Sequence, residues 1–215
     1  TIIGPEVPLV LGITDLFASA GLGCFGPSKA AAQLEGSKAF AKDFLARHHI
    51  PTARYQSFTD PDAAEVYIRE MGAPVVVKAD GLAAGKGVIL AESEDEAIAA
   101  TRGMLSGAHF GEAGRRVVVE EFLRGEEASF IVMTDGEHIL PLAASQDHNA
   151  RDNVDRGPNT GGMGAYSPAP VVTPELHERI MTEIIGPTVR GMAAEGCLYV
   201  GFLYAGVMVT TDGPK

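Results

Sequence analysis

The chain has 215 residues, 46% of them hydrophobic and 21% charged, a balance that suits a folded globular protein and excludes a disordered one. A formal charge of −11 argues against DNA or RNA as a partner, because a polyanion needs a basic face, but leaves room for a small anion held by local lysines. No apolar run approaches the ~20 residues needed to cross a bilayer, and Cys24 and Cys197 stand far apart without C-x-x-C spacing. The chain therefore reads as cytoplasmic, with reduced thiols and no disulfide or zinc scaffold.

Residues 1–26 read as strand, helix, strand: TIIG, an amphipathic stretch with Leu11, Leu16 and Phe17, then GCF ended by Gly26 and Pro27. That is the tail of an α/β unit, and Gly4-Pro5-Glu6 follows its first strand, where ligands of open α/β sheets sit. One helical region is expected from Ser28 to His49, with Phe40, Phe44, Leu45 and His48 on one stripe, ended by Ile50-Pro51. His48 and His49 read as dipole-compensating residues of its last turn in preference to ligands.

The middle third alternates. A helix starts at Asp60-Pro61 and closes at Gly72, and is followed by the strand of Val75, Val76 and Val77, a glycine loop and the strand VILA. A helix in which Ser93 and Glu96 have capping-box spacing leads to the strand RVVVEEF. EASFIVMT and HILPLAA, joined through Asp135-Gly136-Glu137, read as a β-hairpin. From Ser145 to Pro170 the chain is polar and glycine-rich and reads as a long functional loop. A helix capped by Thr173, with Leu176, Ile180 and Ile184 spaced by four, should kink or break at Pro187. YVGFLYAGVMVT is the last strand. The opening in mid-strand, and a closing turn signal at Asp212-Gly213-Pro214-Lys215 with nothing after it to serve, create the expectation that both ends are cut from a longer protein.

Three segments carry chemistry. In APVVVKADGLAAGKGVILA (73–91) an apolar strand fixes Lys78 at its end. Gly81, Gly85 and Gly87 then keep side chains away, so that backbone N–H groups and the Lys86 ammonium can close over an anion. The spacing is neither Walker A nor G-x-G-x-x-G, and a β-turn with solvated lysines remains the alternative. In VVVEEFLRGEE (117–127) the carboxylates Glu120, Glu121, Glu126 and Glu127 form either a solvated acidic edge or a hinge. In a hinge, the backbone near Glu120 and Phe122 would meet a purine and Glu127 a ribose. The third segment is Asp155 to Gly164, whose Gly161, Gly162 and Gly164 expose N–H donors suited to an anionic substrate or else make a flexible linker.

Six segments together carry a resemblance: GPEVPLV (4–10), LEGSKAF (34–40), VKADGLAAGKGV (77–88), VEEFLRGEEAS (119–129), SQDH (145–148) and GPNTGGMGAYSPAP (157–170). In this order and spacing they resemble the phosphoribosylamine-glycine ligase (glycinamide ribonucleotide synthetase) family of the ATP-grasp superfamily, nearly end to end. The resemblance implies an α/β (α+β) ATP-grasp fold, with residues 1–27 as the remnant of a Rossmann-like N-terminal domain. It implies an incomplete ATP-grasp core at 28–55 and 128–215, and a small lid subdomain at 56–127. It also implies ligation of glycine to 5-phosphoribosylamine with ATP and magnesium or manganese, by a monomer needing neither nucleic acid nor membrane.

Carried over by position, Lys38, Lys78 and Lys86 would meet the ATP phosphates as the catalytic cations, with Gly85 and Gly87 forming the lid. Glu120, Glu121, Phe122 and Glu127 would hold the nucleoside. Gly4, Pro5 and Glu6 would face phosphoribosylamine or glycine, together with Asp147, Asp155, Asn159, Thr160, Gly161, Gly162, Met163 and Gly164. The family's metal ligands would fall beyond Lys215. The resemblance therefore leaves two expectations, an active ligase of which this is an internal piece, or a non-catalytic nucleotide-binding fragment.

Overall fold

The computed structural model describes residues 1–83, 87–107, 110–152 and 156–215, with the side chains of 149–163 outside the description. The chain divides into two compact units, residues 1–123 and 124–215.

The first unit opens with a parallel bridge between Ile2 and Phe25, so the two strands expected there shrink to one pairing. The helix expected between them is two, α1 (Glu6–Leu11) and α2 (Ile13–Ser19). Gly12 separates them: at φ 95° it takes the left-handed conformation that favours glycine and donates its N–H to the Leu9 carbonyl at 3.0 Å. The helical region expected from Ser28 to His49 is also interrupted, into α3 (Gln33–Gly36) and α4 (Lys38–Arg47). Ser37 is extended and caps α4, its hydroxyl accepting from the Phe40 N–H at 3.1 Å.

β1 (Tyr55–Phe58), β2 (Val75–Ala79), β3 (Val88–Ala91) and β4 (Val117–Glu121) form one antiparallel sheet in the order β1-β4-β2-β3. α5 (Pro61–Met71) starts after Asp60 and stops at Gly72 as expected, and α6 (Glu94–Leu105) starts at its expected cap, Ser93. The alternation of β2 and β4 sends Val75, Val77, Val117 and Val119 into a core with Ile68, Ala97 and Met104 from these helices. Val76, Lys78, Val118 and Glu120 take the opposite face, so the valine run positions a charged face by burying its other side.

In the second unit β5 (Glu126–Thr134) pairs with β6 (Ile139–Pro141) in the expected hairpin and along its whole length with β9 (Gly201–Thr210). Ala128, Phe130, Val132, Leu203 and Val207 are buried. Glu127, Ser129, Ile131, Phe202 and Tyr204 alternate onto the other face.

The segment expected to be one long loop contains a second hairpin. β7 (Gln146–Asp152) pairs antiparallel with β8 (Arg156–Tyr166), with register irregularities between His148 and Asp152. Polar, glycine-rich sequence lacks the period-two apolar signal of a strand, and the pairing comes from the partner backbone.

The C-terminal turn does serve a pairing: β10 (Gly213–Pro214) folds back on β9, and Lys215 and Met208 exchange both backbone hydrogen bonds. The helix after Thr173 does not break at Pro187. It runs as α7 (Pro174–Arg179), a π-helical segment (Ile180–Ile185) and α8 (Gly186–Ala194), with Pro187 in the first turn of α8. The wider π turn relieves the clash a proline ring makes with the preceding turn, and the Thr188 hydroxyl donates to the Ile184 carbonyl at 2.8 Å. Among the described residues no helix is long and apolar enough to cross a membrane.

Candidate active site

A buried arrangement of charge stands on the face of the first unit's sheet opposite its helical core. Tyr55 and Val76 flank Glu120 in register on the neighbouring strands, and Lys78 is diagonal to Glu120 on the same face. Glu120 is only 4% exposed, yet its carboxylate is shared by two ammonium groups: Lys42 Nζ is 2.8 Å from Oε2 and Lys78 Nζ is 2.8 Å from Oε1. The Lys78 contact is an ion pair without hydrogen-bond alignment, and Oε1 remains a buried acceptor with no aligned donor.

Lys42 comes down from α4. Its ammonium also donates to Thr52 Oγ1 at 2.8 Å and to the Ala53 carbonyl at 3.5 Å, and lies 5.6 Å from the centre of the Tyr55 ring. Burial lowers the Lys42 pKa, and the Glu120 carboxylate opposes that shift. Tyr55 donates to Asp43 Oδ1 at 2.7 Å, and burial followed by that hydrogen bond raises its pKa.

One turn earlier on α4, Lys38 donates to the Gly81 carbonyl at 3.1 Å. Asp80 places this end of the helix. Its Oδ1 accepts from Ser37 Oγ and from the Ala39 N–H, both at 2.8 Å, and its carbonyl accepts from the Lys38 N–H at 3.0 Å. Burial lowers the Lys38 pKa, Glu35 raises it and Lys78 lowers it further. Glu35 is raised by desolvation, against Lys38, and Glu6 adds to the rise, which brings Glu6 into the same electrostatic neighbourhood. Lys38 thus lies within electrostatic reach of Lys78 and Glu120, and Glu6 within reach of Glu35.

The other expected residues of this unit fall as follows. Pro5 is the cap of α1, Gly4 precedes it, and Glu6 is exposed in the first turn. The Glu121 carboxylate accepts from the Arg54 N–H at 2.9 Å, and Phe122 follows β4 in a half-buried position. Gly87 is buried. Its carbonyl accepts from the Ala79 N–H at 2.8 Å, and a Cβ there would come within 2.6 Å of the Ala83 Cβ, so glycine lets the loop return tightly onto β2. Gly85 and Lys86 lie outside the described residues.

In the second unit, Glu127 is exposed on β5, opposite Met208. Two residues on, the buried Ser129 hydroxyl donates to Asp147 Oδ2 at 2.9 Å and stands 3.3 Å from the Tyr204 hydroxyl. Asp147 is therefore an oriented, half-buried carboxylate. Tyr166 donates to Gln146 Oε1 at 2.5 Å and stacks on His148, their ring centres 5.4 Å apart. Gly164 pairs with His148 and Asn159 with Ala150 across the hairpin. Thr160, Gly161, Gly162 and Met163 lie along β8, their side chains outside the description, and Asp155 lies outside the described residues altogether.

The sequence reading gave no role to Lys42, Ser37 or Asp80. Lys42 had a visible signal, its place four residues after Lys38 on one helix face. Asp80 had none, because its function depends on a contact 43 residues away.

The ammonium groups of Lys38 and Lys78 fit the phosphates of a nucleoside polyphosphate. Among the described residues no group of three or more His, Cys, Asp or Glu side chains is gathered to hold a metal ion.

Comparison with known proteins agrees on one family. The family described as phosphoribosylglycinamide synthetase, ATP-grasp (A) domain, matches residues 36–215, and the N domain of the same synthetase matches residues 1–35. A curated phosphoribosylamine-glycine ligase of Allochromatium vinosum is 70% identical over 216 residues, covering 100% of this chain and 50% of the relative. The crystal structure of phosphoribosylamine-glycine ligase from Thermotoga maritima superposes with a TM-score of 0.77 at 37% identity, covering 89% of this chain and 48% of that one. The biotin carboxylase domain of Hydrogenobacter thermophilus 2-oxoglutarate carboxylase, solved with MgADP, has a TM-score of 0.72 at 19% identity. It covers 99% of this chain and 45% of its own, and shows a shared fold. The chain spans about half the length of the curated relatives it matches.

Proposed function

Since the chain belongs to the phosphoribosylglycinamide synthetase family and has its ATP-grasp fold, we propose that it serves the ATP-dependent ligation of glycine to 5-phosphoribosylamine. The products are glycinamide ribonucleotide, ADP and phosphate, as a step of purine biosynthesis. The observation that carries this reading is the pair of half-buried lysines, Lys38 and Lys78, fixed by Gly81 and Glu120 on one rigid face.

The chemistry explains why such a pair is needed. A carboxylate is a poor electrophile, so the γ-phosphoryl group first passes to a glycine carboxylate oxygen, breaking the bond to ADP. The amine of phosphoribosylamine then attacks the acyl carbon, and phosphate leaves with the bonding pair. Negative charge spreads over the moving phosphoryl oxygens, and fixed cations offset it without reorganising at the moment of transfer. Lys38 and Lys78 take that role in the first unit, with Gly85, Lys86 and Gly87 as the loop over the phosphates. Glu120, Glu121 and Phe122 present the nucleoside site. Gly4, Pro5 and Glu6 face the substrate.

In the second unit Glu127 addresses ribose. Asp147, oriented by Ser129, joins Asp155 and the stretch from Asn159 to Gly164 in holding glycine or phosphoribosylamine. No side chain need act as a covalent nucleophile, so rate comes from positioning and electrostatics.

Within this reading residues 1–27 end the N-terminal domain, 28–55 and 128–215 belong to the ATP-grasp core, and 56–127 form the small lid lobe. Magnesium or manganese accompanies the nucleotide as its counter-ion, and no residue of this chain is assigned to it. The enzyme is proposed to be cytoplasmic and monomeric, and the net charge of −11 supports small-molecule partners over nucleic acid.

The test is ADP formation dependent on glycine and phosphoribosylamine, in the protein as its source makes it. Lys78→Ala should lower kcat by about 100-fold or more, in line with loss of one transition-state donor. Cys24→Ala, whose thiol stands 3.9 Å from Thr14 Oγ1, should stay within a few fold of the parent, ~3 at most. Equal rates for Lys78→Ala and the parent would sink the reading.

A further inference from the structure

We propose that Lys42 is a positioning residue for phosphoryl transfer: by holding Oε2 of Glu120 it fixes the carboxylate that aims the Lys78 ammonium, and it leaves net positive charge on the trio for phosphate. The proposal rests on the reading of Lys78 as a phosphate cation and extends it to a side chain that touches no substrate.

The geometry is one-sided in a way that simple support does not require. Lys42 is 9% exposed, and its ammonium is held by Glu120 Oε2 and Thr52 Oγ1 at 2.8 Å and by the Ala53 carbonyl at 3.5 Å. Its three donors thus have three protein acceptors. The Lys78 side chain is 28% exposed and reaches the same carboxylate through the other oxygen. The trio therefore has an inner cation, a buried anion and an outer cation, and only the outer cation is open to a ligand.

Charge counting shows what the inner cation adds. Glu120 with Lys78 alone would sum to zero, and an ammonium fully answered by one carboxylate attracts phosphate weakly. With Lys42 the three side chains carry one net positive charge, and the carboxylate is divided between two partners. Placement follows from the same contact. A carboxylate held at one oxygen cannot turn about its χ angles, so the other oxygen stays fixed and the Lys78 ammonium is held with it. An apolar side chain in the place of Lys42 could fill the space without the cost of desolvating a charge, but it could supply neither the charge nor the hold.

The experiment is a double-mutant cycle on ADP formation in the protein as its source makes it, with Lys42→Met, Lys78→Ala and the pair. Lys42→Met should lower kcat by about 100-fold, the scale of a misplaced catalytic group, while KM for ATP moves by less than about 5-fold. In the Lys78→Ala background, Lys42→Met should cost nothing further, because the group it positions is gone. Ile68→Val, a core change in the same unit, is the control for lost stability and should leave kcat unchanged. Thr52→Val, which removes a second acceptor of the Lys42 ammonium, should lower kcat in the same direction and likewise add nothing to Lys78→Ala. It decides the question even if Lys42→Met does not fold.

Losses that multiply in the double variant, or an unchanged kcat in Lys42→Met or Thr52→Val, would overturn the positioning role while leaving Lys78 a phosphate ligand. Full activity of Lys78→Ala would instead remove the ligase reading on which the proposal stands.

Discussion

Lys38 carries its charge against its surroundings: burial and the neighbouring Lys78 lower its pKa below 10.5, and Glu35 offsets only part of that. A depressed lysine pKa contributes stability above 10.5 that is lost as pH falls through the folded value, so at neutral pH the charged side chain is a strain on the empty site. A bound phosphate relieves that strain, and its affinity needs the ammonium. ATP affinity should therefore be full at neutral pH and fall as pH rises through the lowered pKa, earlier than an ordinary lysine would allow. Lys38→Arg should abolish this alkaline limb in KM for ATP measured up to pH about 10, because guanidinium does not titrate there. An identical limb in the arginine variant would assign it to another group. Lys78 and Glu120 could be singled out from sequence because a strand end frames each locally, whereas Lys38 came only from the resemblance carried by LEGSKAF. Lys42 could not be assigned its role, since the partner carboxylate that defines it lies on β4, 78 residues later by number.

Local chemistry also decided which elements could be read in advance. α6 begins where its capping signal says: Ser93 Oγ accepts from the Glu96 N–H at 3.3 Å, and Glu96 Oε2 accepts from the Glu92 N–H at 2.9 Å, one residue beyond the reciprocal capping-box partner. Ser93→Ala should lower unfolding free energy by about 1 kcal/mol in urea titration while leaving kcat unchanged, and a drop in kcat would mean the cap also holds the sheet face in shape. The break between α3 and α4 was illegible for the opposite reason. Ser37 is held extended in part by Asp80, the residue just after β2, and nothing in GSKAF announces that contact. The β7–β8 hairpin escaped because its residues lack apolar alternation, so only the partner strand reveals it. Pro187 was weighed as a helix breaker, yet the π turn before it widens the ladder enough to keep the helix going.

At the scale of the whole molecule, the valine run of β2 closes a core within the first unit, and residues of β5 are buried in the second. The cluster around Ile68 is drawn entirely from residues 58–119, whereas Ile185 is buried at 1% exposure in the unit that begins at Arg124. Deleting one methylene from a close-packed core costs about 0.5–1.5 kcal/mol, through lost transfer energy and the cavity left behind. Ile68→Val and Ile185→Val have no packing partner in common within that cluster, so their losses should add to within about 0.5 kcal/mol when combined. The check is chemical unfolding of both single variants and the double variant. A deficit or excess well beyond that margin would show that strain in one core is felt in the other. Additive losses would mean that the charged face of the first sheet rests on a core that tolerates change elsewhere in the chain, as a rigid platform for Lys38, Lys78 and Glu120 requires.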